Sequence, residues 1–116
     1  MKNMSFALTT AQFRNCSKTV TRRLGWPNLK PGEVFMGVVK GQGIPKGGHV
    51  EKMHPARCIS NRPEPLNAIT PEEVEKEGFP GKSPAWFVSM FCTHNGCNPQ
   101  DTVNRIEMEH LMRGET

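Results

Sequence analysis

Lys18-Thr-Val-Thr21-Arg22-Arg23 brings one lysine, two hydroxyls and two guanidiniums within six residues. A desolvated lysine can act as a base or proton relay, and a nearby hydroxyl is a nucleophile that it can activate. The competing reading is an edge strand whose solvated cations guard against aggregation. On a regular strand Lys18 shares a face with Val20 and Arg22, and Thr21 shares the other with Thr19 and Arg23. Lys18 and Thr21 therefore meet only if the chain turns or bulges between them. Glu77 is the second notable group. It is an anion in the last turn of a predicted helix, where the dipole disfavours it by ~0.3–1 kcal/mol. Either it is exposed and screened, or a neighbouring cation holds it, or it does acid–base work.

Two other constellations are weaker. Gly41-x-Gly43-x-x-x-Gly47-Gly48 superficially resembles a phosphate loop but lacks the Lys-Ser/Thr ending and a following helix start. It reads as a loose hairpin loop. Cys92-x-His94-x-x-Cys97 is a metal-ligand trio that Cys58 could complete. Structural zinc sites usually pair cysteines at C-x₂₋₄-C and add a second ligand pair, which this sequence does not supply. Small buried thiols are the better reading, and no metal or cofactor is expected.

The elements that must carry these groups are short. Met4–Leu8 is a short apolar run that reads as a strand. Thr9 or Thr10 can cap a helix through Asn15 with its hydroxyl. Residues 18–23 are rich in β-branched side chains, which favours a strand. Glu33–Val39 is a nearly continuous apolar run, as in a buried strand. Ala56–Ser60 reads as another strand, stopped by Pro63 and Pro65. The strongest local signal is Ile69-Thr-Pro-Glu-Glu-Val74. Thr70 is a helix N-cap, Pro71 takes the first helical position and Glu73 closes a capping box, with Ile69 and Val74 as a hydrophobic staple. Gly78 supplies the left-handed stop, so a helix spans 71–77. A second helix runs from about 84 to 95, apolar nearly all round and so mostly buried, and ends at Gly96. Val103–Leu111 alternates, with Ile106 and Met108 facing the core and Arg105, Glu107 and Glu109 facing solvent. This order predicts a small α+β domain, a barrel-like sheet with helices against it.

Length and composition agree. The chain has 116 residues, enough for one domain spanning 1–116. Gly and Pro total 21, which favours turns and short elements over a helical bundle. No stretch approaches the ~18 apolar residues of a membrane span, and the N-terminus lacks a signal peptide's apolar region. With four cysteines read as thiols, a cytoplasmic monomer is expected. Charge is uneven. Residues 1–58 carry ten Lys/Arg and two acids, residues 59–116 five and nine, giving +8 and −4. A basic first half could attract phosphates, or the halves could interleave and neutralise each other.

The chain resembles the ASCH domains, of PUA-like fold, and especially the short stand-alone ASCH proteins of bacteria and phages. Lys18-Thr-Val-Thr-Arg-Arg23 carries the resemblance, with Lys30-Pro-Gly-Glu33 before an apolar strand and Thr70-Pro-Glu-Glu leading into Glu77-Gly-Phe79. The likeness spans roughly residues 4–111. It implies a PUA-like β-barrel with short flanking helices and a cleft for RNA or a nucleotide-like ligand. Some small members remove acetate from N4-acetylcytidine, and their Lys, Thr and Glu catalytic set would fall on Lys18, Thr21 and Glu77. One position departs from the pattern: Cys16 stands where a glycine is usual, two residues before the motif lysine. Two functions follow. The favoured one is an RNA- or nucleotide-binding module using Lys18, Arg22, Arg23 and a stacking residue, Trp26 or Trp86. The alternative is an amidohydrolase in which Thr21 attacks the acyl carbon, Lys18 deprotonates it and Glu77 exchanges protons with the leaving amine.

Overall fold

The structure, a computed structural model, describes residues 1–40 and 48–112. Most of the glycine loop of the sequence reading, residues 41–47, lies outside the described residues. Among the described residues, five strands form one mixed sheet: β1 (Lys2–Ser5), β2 (Val20–Arg23), β3 (Val34–Val38), β4 (Lys52–Pro65) and β5 (Thr102–His110). Their spatial order is β1-β3-β4-β5-β2, with β1 parallel to β3 and the other neighbours antiparallel. The sheet curls into a half-barrel, accompanied by helices α1 (Thr10–Arg14), α2 (Pro71–Lys76) and α3 (Pro84–Asn95). This is the expected α+β, PUA-like architecture.

Two apolar clusters hold it together. Met4, Phe6, Phe13, Phe35, Ile106 and Met108 are buried in one. Leu66, Ile69, Val74, Phe87, Phe91 and Val103 form the other, which fixes α2 and α3 to the sheet. Gly37 is required where β3 passes α1, because a Cβ there would meet the Phe13 ring at 2.2 Å. Thr70 caps α2 by accepting from the Glu73 N–H at 3.3 Å, and Ser83 caps α3 by accepting from Trp86 at 3.1 Å.

Several expectations are revised. β4 does not stop before Pro63 but runs through Pro65, pairing with β5 to Thr102. Pro63 and Pro65 share one parity, opposite to Leu66, whose N–H donates to Asp101. The proline nitrogens therefore face the edge that β3 has already left at Arg57, and no ladder bond is lost. The hydroxyl cap on α1 does not form, and Thr10 Oγ1 instead donates to the Phe6 carbonyl at 2.9 Å. Only Phe87 and Phe91 of α3 are buried, so that helix is half-covered. On β5, Ile106 and Met108 are in the core as expected, but Arg105 is also buried, because the opposite face is covered by α2.

Candidate functional site

Lys18 lies just upstream of β2, where strand parity does not apply. Cys16 has φ of 66°, in the left-handed region that favours glycine. The turn is held by Lys18 N–H donating to Gln12 O at 3.1 Å and Thr19 N–H donating to Lys76 O at 2.9 Å. The second bond ties the strand to the end of α2. Gly78 permits that approach: its φ is 104°, and a Cβ there would lie 2.9 Å from the Gln12 side chain.

The result is a buried charge cluster at the C-terminus of α2. Lys18 Nζ donates to the Glu77 carbonyl oxygen and to Oε1, both at 2.7 Å. An ammonium on the last carbonyl of a helix is the cation that the dipole favours, and it compensates the anion beside it. Arg22 donates to Glu77 Oε2 at 3.0 Å, to Glu73 Oε1 at 2.8 Å, and to Glu64 Oε2 through Nε and NH2 at 3.1 and 2.8 Å. Arg105 closes the network on Glu73 at 2.7 and 3.0 Å. Lys18 and Glu77 are 3% and 2% exposed. Among the described residues, no buried side-chain nitrogen or oxygen lacks a hydrogen-bond partner.

Protonation follows from this burial. Desolvation lowers the Lys18 pKa below its usual value; Glu77 opposes that shift, and the positive charges of Arg23 and Arg22 add to it. Desolvation also lowers Arg23, to about 10, against the pull of Glu77, so it stays charged at neutral pH. For Arg22 burial would act the same way, but the Glu77, Glu73 and Glu64 carboxylates outweigh it and raise the pKa. Glu73 falls to about 2, chiefly through Arg105 and then Arg22, despite desolvation.

Lys18, Thr21 and Glu77 line one cleft of about 450 Å³ between the two apolar clusters. Its walls include Phe6, Trp26, Phe79 and Phe87, and Arg22 and Arg23 also reach it. The Arg23 guanidinium stacks over Phe6 at 4.7 Å and donates to Thr21 Oγ1 at 3.0 Å. Trp86 stands apart from this lining. It packs edge-on against Phe79 at 5.1 Å and lines a neighbouring shallow concavity with Leu8, Met90 and His94.

No protein-family model and no curated protein matches this chain. Solved structures do. The chain superimposes on a high-resolution crystal structure of an ASCH domain from Lactobacillus crispatus JV V101 with a TM-score of 0.61 and 14% identity. The match covers 94% of this chain and 79% of that one. The fold is that of an ASCH domain. A protein of Enterococcus faecalis V583 assigned to DUF984 matches with a TM-score of 0.56 and 11% identity, over 87% of this chain and 68% of that one.

Within this ASCH fold the structure adds residues that sequence reasoning did not single out. Glu73 reads in sequence as half of a capping box, but its carboxylate serves Arg22 and Arg105 instead of the Thr70 amide. Glu64 follows a proline and carries no local signal. Phe6 belongs to the apolar run of residues 4–8 and Phe79 to the Glu77-Gly-Phe79 motif, and neither is expected from sequence to line a cleft. His94 lines the cleft, whereas Cys92 and Cys97 approach each other to 3.8 Å and Cys58 lies in the other cluster, so the sequence trio does not assemble.

Proposed function

We propose that the protein is a small amidohydrolase that cleaves the acyl amide of a modified nucleobase of the N4-acetylcytidine type. The observation that carries this reading is the Lys18 ammonium nitrogen, buried 2.7 Å from Glu77 Oε1 in the wall of a cleft that Thr21 also lines. A lowered lysine pKa increases the neutral fraction that can accept a proton near neutral pH. Lys18 directs two N–H groups at Glu77, which leaves one position on nitrogen: a proton in the ammonium, a lone pair in the amine.

Thr21 Oγ1 attacks the acyl carbon, and its proton passes to neutral Lys18. The C–N bond breaks, and the proton returns to the departing amine through the Lys18–Glu77 pair. An acyl ester on Thr21 remains. Water attacks that ester and releases acetate, with its proton taken by Lys18 and returned to Thr21. Arg23, donating to Thr21 Oγ1 at 3.0 Å, stabilises the oxygen as it gains negative charge. Glu77, held at both oxygens by Lys18 and Arg22, keeps the lysine in place.

The cleft volume of about 450 Å³ falls in the ~300–1,000 Å³ range of small-ligand pockets, and its aromatic wall suits a flat base. RNA or nucleotide binding without chemistry is the second reading, favoured by the same aromatic wall, with Trp26 as the stacking residue. Arg22 contributes little to phosphate capture there, since its guanidinium is spent on three carboxylates. Acetate release from N4-acetylcytidine separates the two. Turnover by the wild type, lost in Lys18→Ala and Glu77→Ala, supports the hydrolase. Saturable binding of N4-acetylcytidine with no acetate released leaves the binding module.

A further inference from the structure

Outside the cleft lining, donor atoms from three segments converge. Cys16 Sγ from the turn before β2, a ring nitrogen of His54 on β4 and one of His110 at the end of β5 all lie within 4.8 Å of one another. His54 Nε2 is 2.8 Å from His110 Nδ1. His110 Nε2 is 2.6 Å from the Lys18 carbonyl oxygen. A carbonyl only accepts, so Nε2 carries the hydrogen and Nδ1 presents its lone pair toward His54. A backbone carbonyl holding the far nitrogen of an imidazole is the support that metal-binding histidines use to fix tautomer and ring orientation. Phe13 stacks on His54 at 4.4 Å and meets His110 edge-on at 4.7 Å, which further fixes both rings. A fourth soft donor is adjacent: Met112 Sδ is 3.5 Å from Cys16 Sγ.

We propose that Cys16, His54 and His110 form a binding site for a borderline or soft d¹⁰ metal ion, zinc(II) or copper(I), with the Met112 thioether as a fourth donor favouring copper(I). One thiolate and two imidazoles suit either ion, and a thioether is a ligand that copper(I) takes and zinc(II) does not prefer. Bonds of ~2.0–2.3 Å set donor–donor edges of about 3.4–3.8 Å in a tetrahedral site. The observed spacings, 2.8 Å for the histidine pair and up to 4.8 Å overall, bracket that range. Binding needs the imidazoles to part by roughly half an ångström and the sulfur to close in. The ion replaces two hydrogens. The His54 Nε2 proton moves to Nδ1 of the same ring, and the Cys16 thiol proton is released, so one proton leaves per ion bound, with no change of oxidation state. The cysteine that departs from the usual glycine thereby gains a role, and occupancy would tether the turn carrying Lys18 to β4 and β5. The proposal does not depend on the hydrolase reading.

The test is titration of the metal-free protein with zinc(II) and, under anaerobic reducing conditions, with copper(I), each against a chromogenic chelator. Cobalt(II) serves as a spectroscopic substitute for zinc. The wild type should bind one equivalent, show a thiolate-to-cobalt charge-transfer band and melt at a higher temperature when loaded. Cys16→Ala should lose the band, and both Cys16→Ala and His54→Gln should weaken binding at least tenfold while keeping the wild-type circular dichroism. Met112→Leu should weaken copper(I) and leave zinc(II) within twofold. A Cys92→Ala/Cys97→Ala double variant should bind as wild type, which keeps the test informative if a ligand variant misfolds. No stoichiometric binding by the wild type, or binding lost in the Cys92/Cys97 variant and kept in Cys16→Ala, would overturn the site. Equal copper(I) affinity in Met112→Leu would remove the fourth donor.

Discussion

Replacing Glu77 with glutamine keeps the shape of the side chain and removes the charge that two buried cations share. Lys18 and Arg22 both donate to that carboxylate, at 2.7 and 3.0 Å, with all three side chains at most 4% exposed. Breaking a buried ion pair from one side costs ~3–5 kcal/mol, because the remaining charge stays desolvated. Two features favour the lower end. Arg22 keeps Glu64 and Glu73, and Lys18 keeps the Glu77 main-chain carbonyl and can shed its proton, its pKa being already lowered by burial. The expected loss is therefore about 3 kcal/mol. At ~2.1 cal/mol/K of unfolding entropy per residue, a chain of 116 residues loses about 4 °C of Tm per kcal/mol, so Tm should fall by about 12 °C. Urea unfolding followed by circular dichroism measures the change, provided the slope is constant across variants. Adding Lys18→Met should recover part of the loss, since no lone ammonium is then left buried. A coupling of about 1.5–3 kcal/mol is expected, the range of hydrogen bonds to charged groups. Additivity within ~0.5 kcal/mol, as between distant sites, would refute the pairing on which the site rests.

Gly78→Ala should destabilise by more than ~1 kcal/mol, because φ is 104° and the new methyl meets Gln12; it should also lower turnover by displacing the end of α2 from Lys18. Thr70→Ala should cost about 0.5–1 kcal/mol in a thermal melt, since a single bond of 3.3 Å makes the cap. Glu73 is held at about 2 in the fold against ~4.3 unfolded. Its contribution is therefore complete above pH ~4.3 and is lost as pH falls toward about 2. The urea midpoint should decline across that window, and Glu73→Gln should flatten the decline.

What the sequence reveals is what neighbours along the chain decide. Thr70, Pro71 and Gly78 set the limits of α2 through local backbone chemistry, and the same residues deliver Glu77 to the helix end. The anion placed against the dipole was the legible sign that a cation comes from elsewhere, and Lys18 answers it. Non-local facts were not legible in this way. Pro63 and Pro65 look like strand breakers until the free edge of β4 is known. Arg105 alternates as a solvent-facing residue until α2 covers that face. Lys18 and Thr21 line one cleft, and the turn before Lys18 takes a left-handed backbone at Cys16, which a cysteine does not announce. The uneven charge of the two halves is neutralised around the site by interleaving: Lys18 and Arg22 from the first meet Glu64, Glu73 and Glu77 from the second.

The nucleophile is the point on which the proposed chemistry turns. Acetate release from saturating N4-acetylcytidine should be compared between the wild type and Thr21→Ala, with nucleoside affinity and melting temperature measured alongside. Thr21 lines the cleft and accepts one hydrogen bond, from Arg23, so its removal leaves the Lys18–Glu77 pair and the aromatic wall standing. The proposed chemistry predicts turnover by the wild type, a fall of roughly 10⁶-fold in Thr21→Ala, and ligand affinity within a few-fold of wild type. Turnover in Thr21→Ala within tenfold of wild type, or a wild type that binds the nucleoside and releases no acetate, would contradict it.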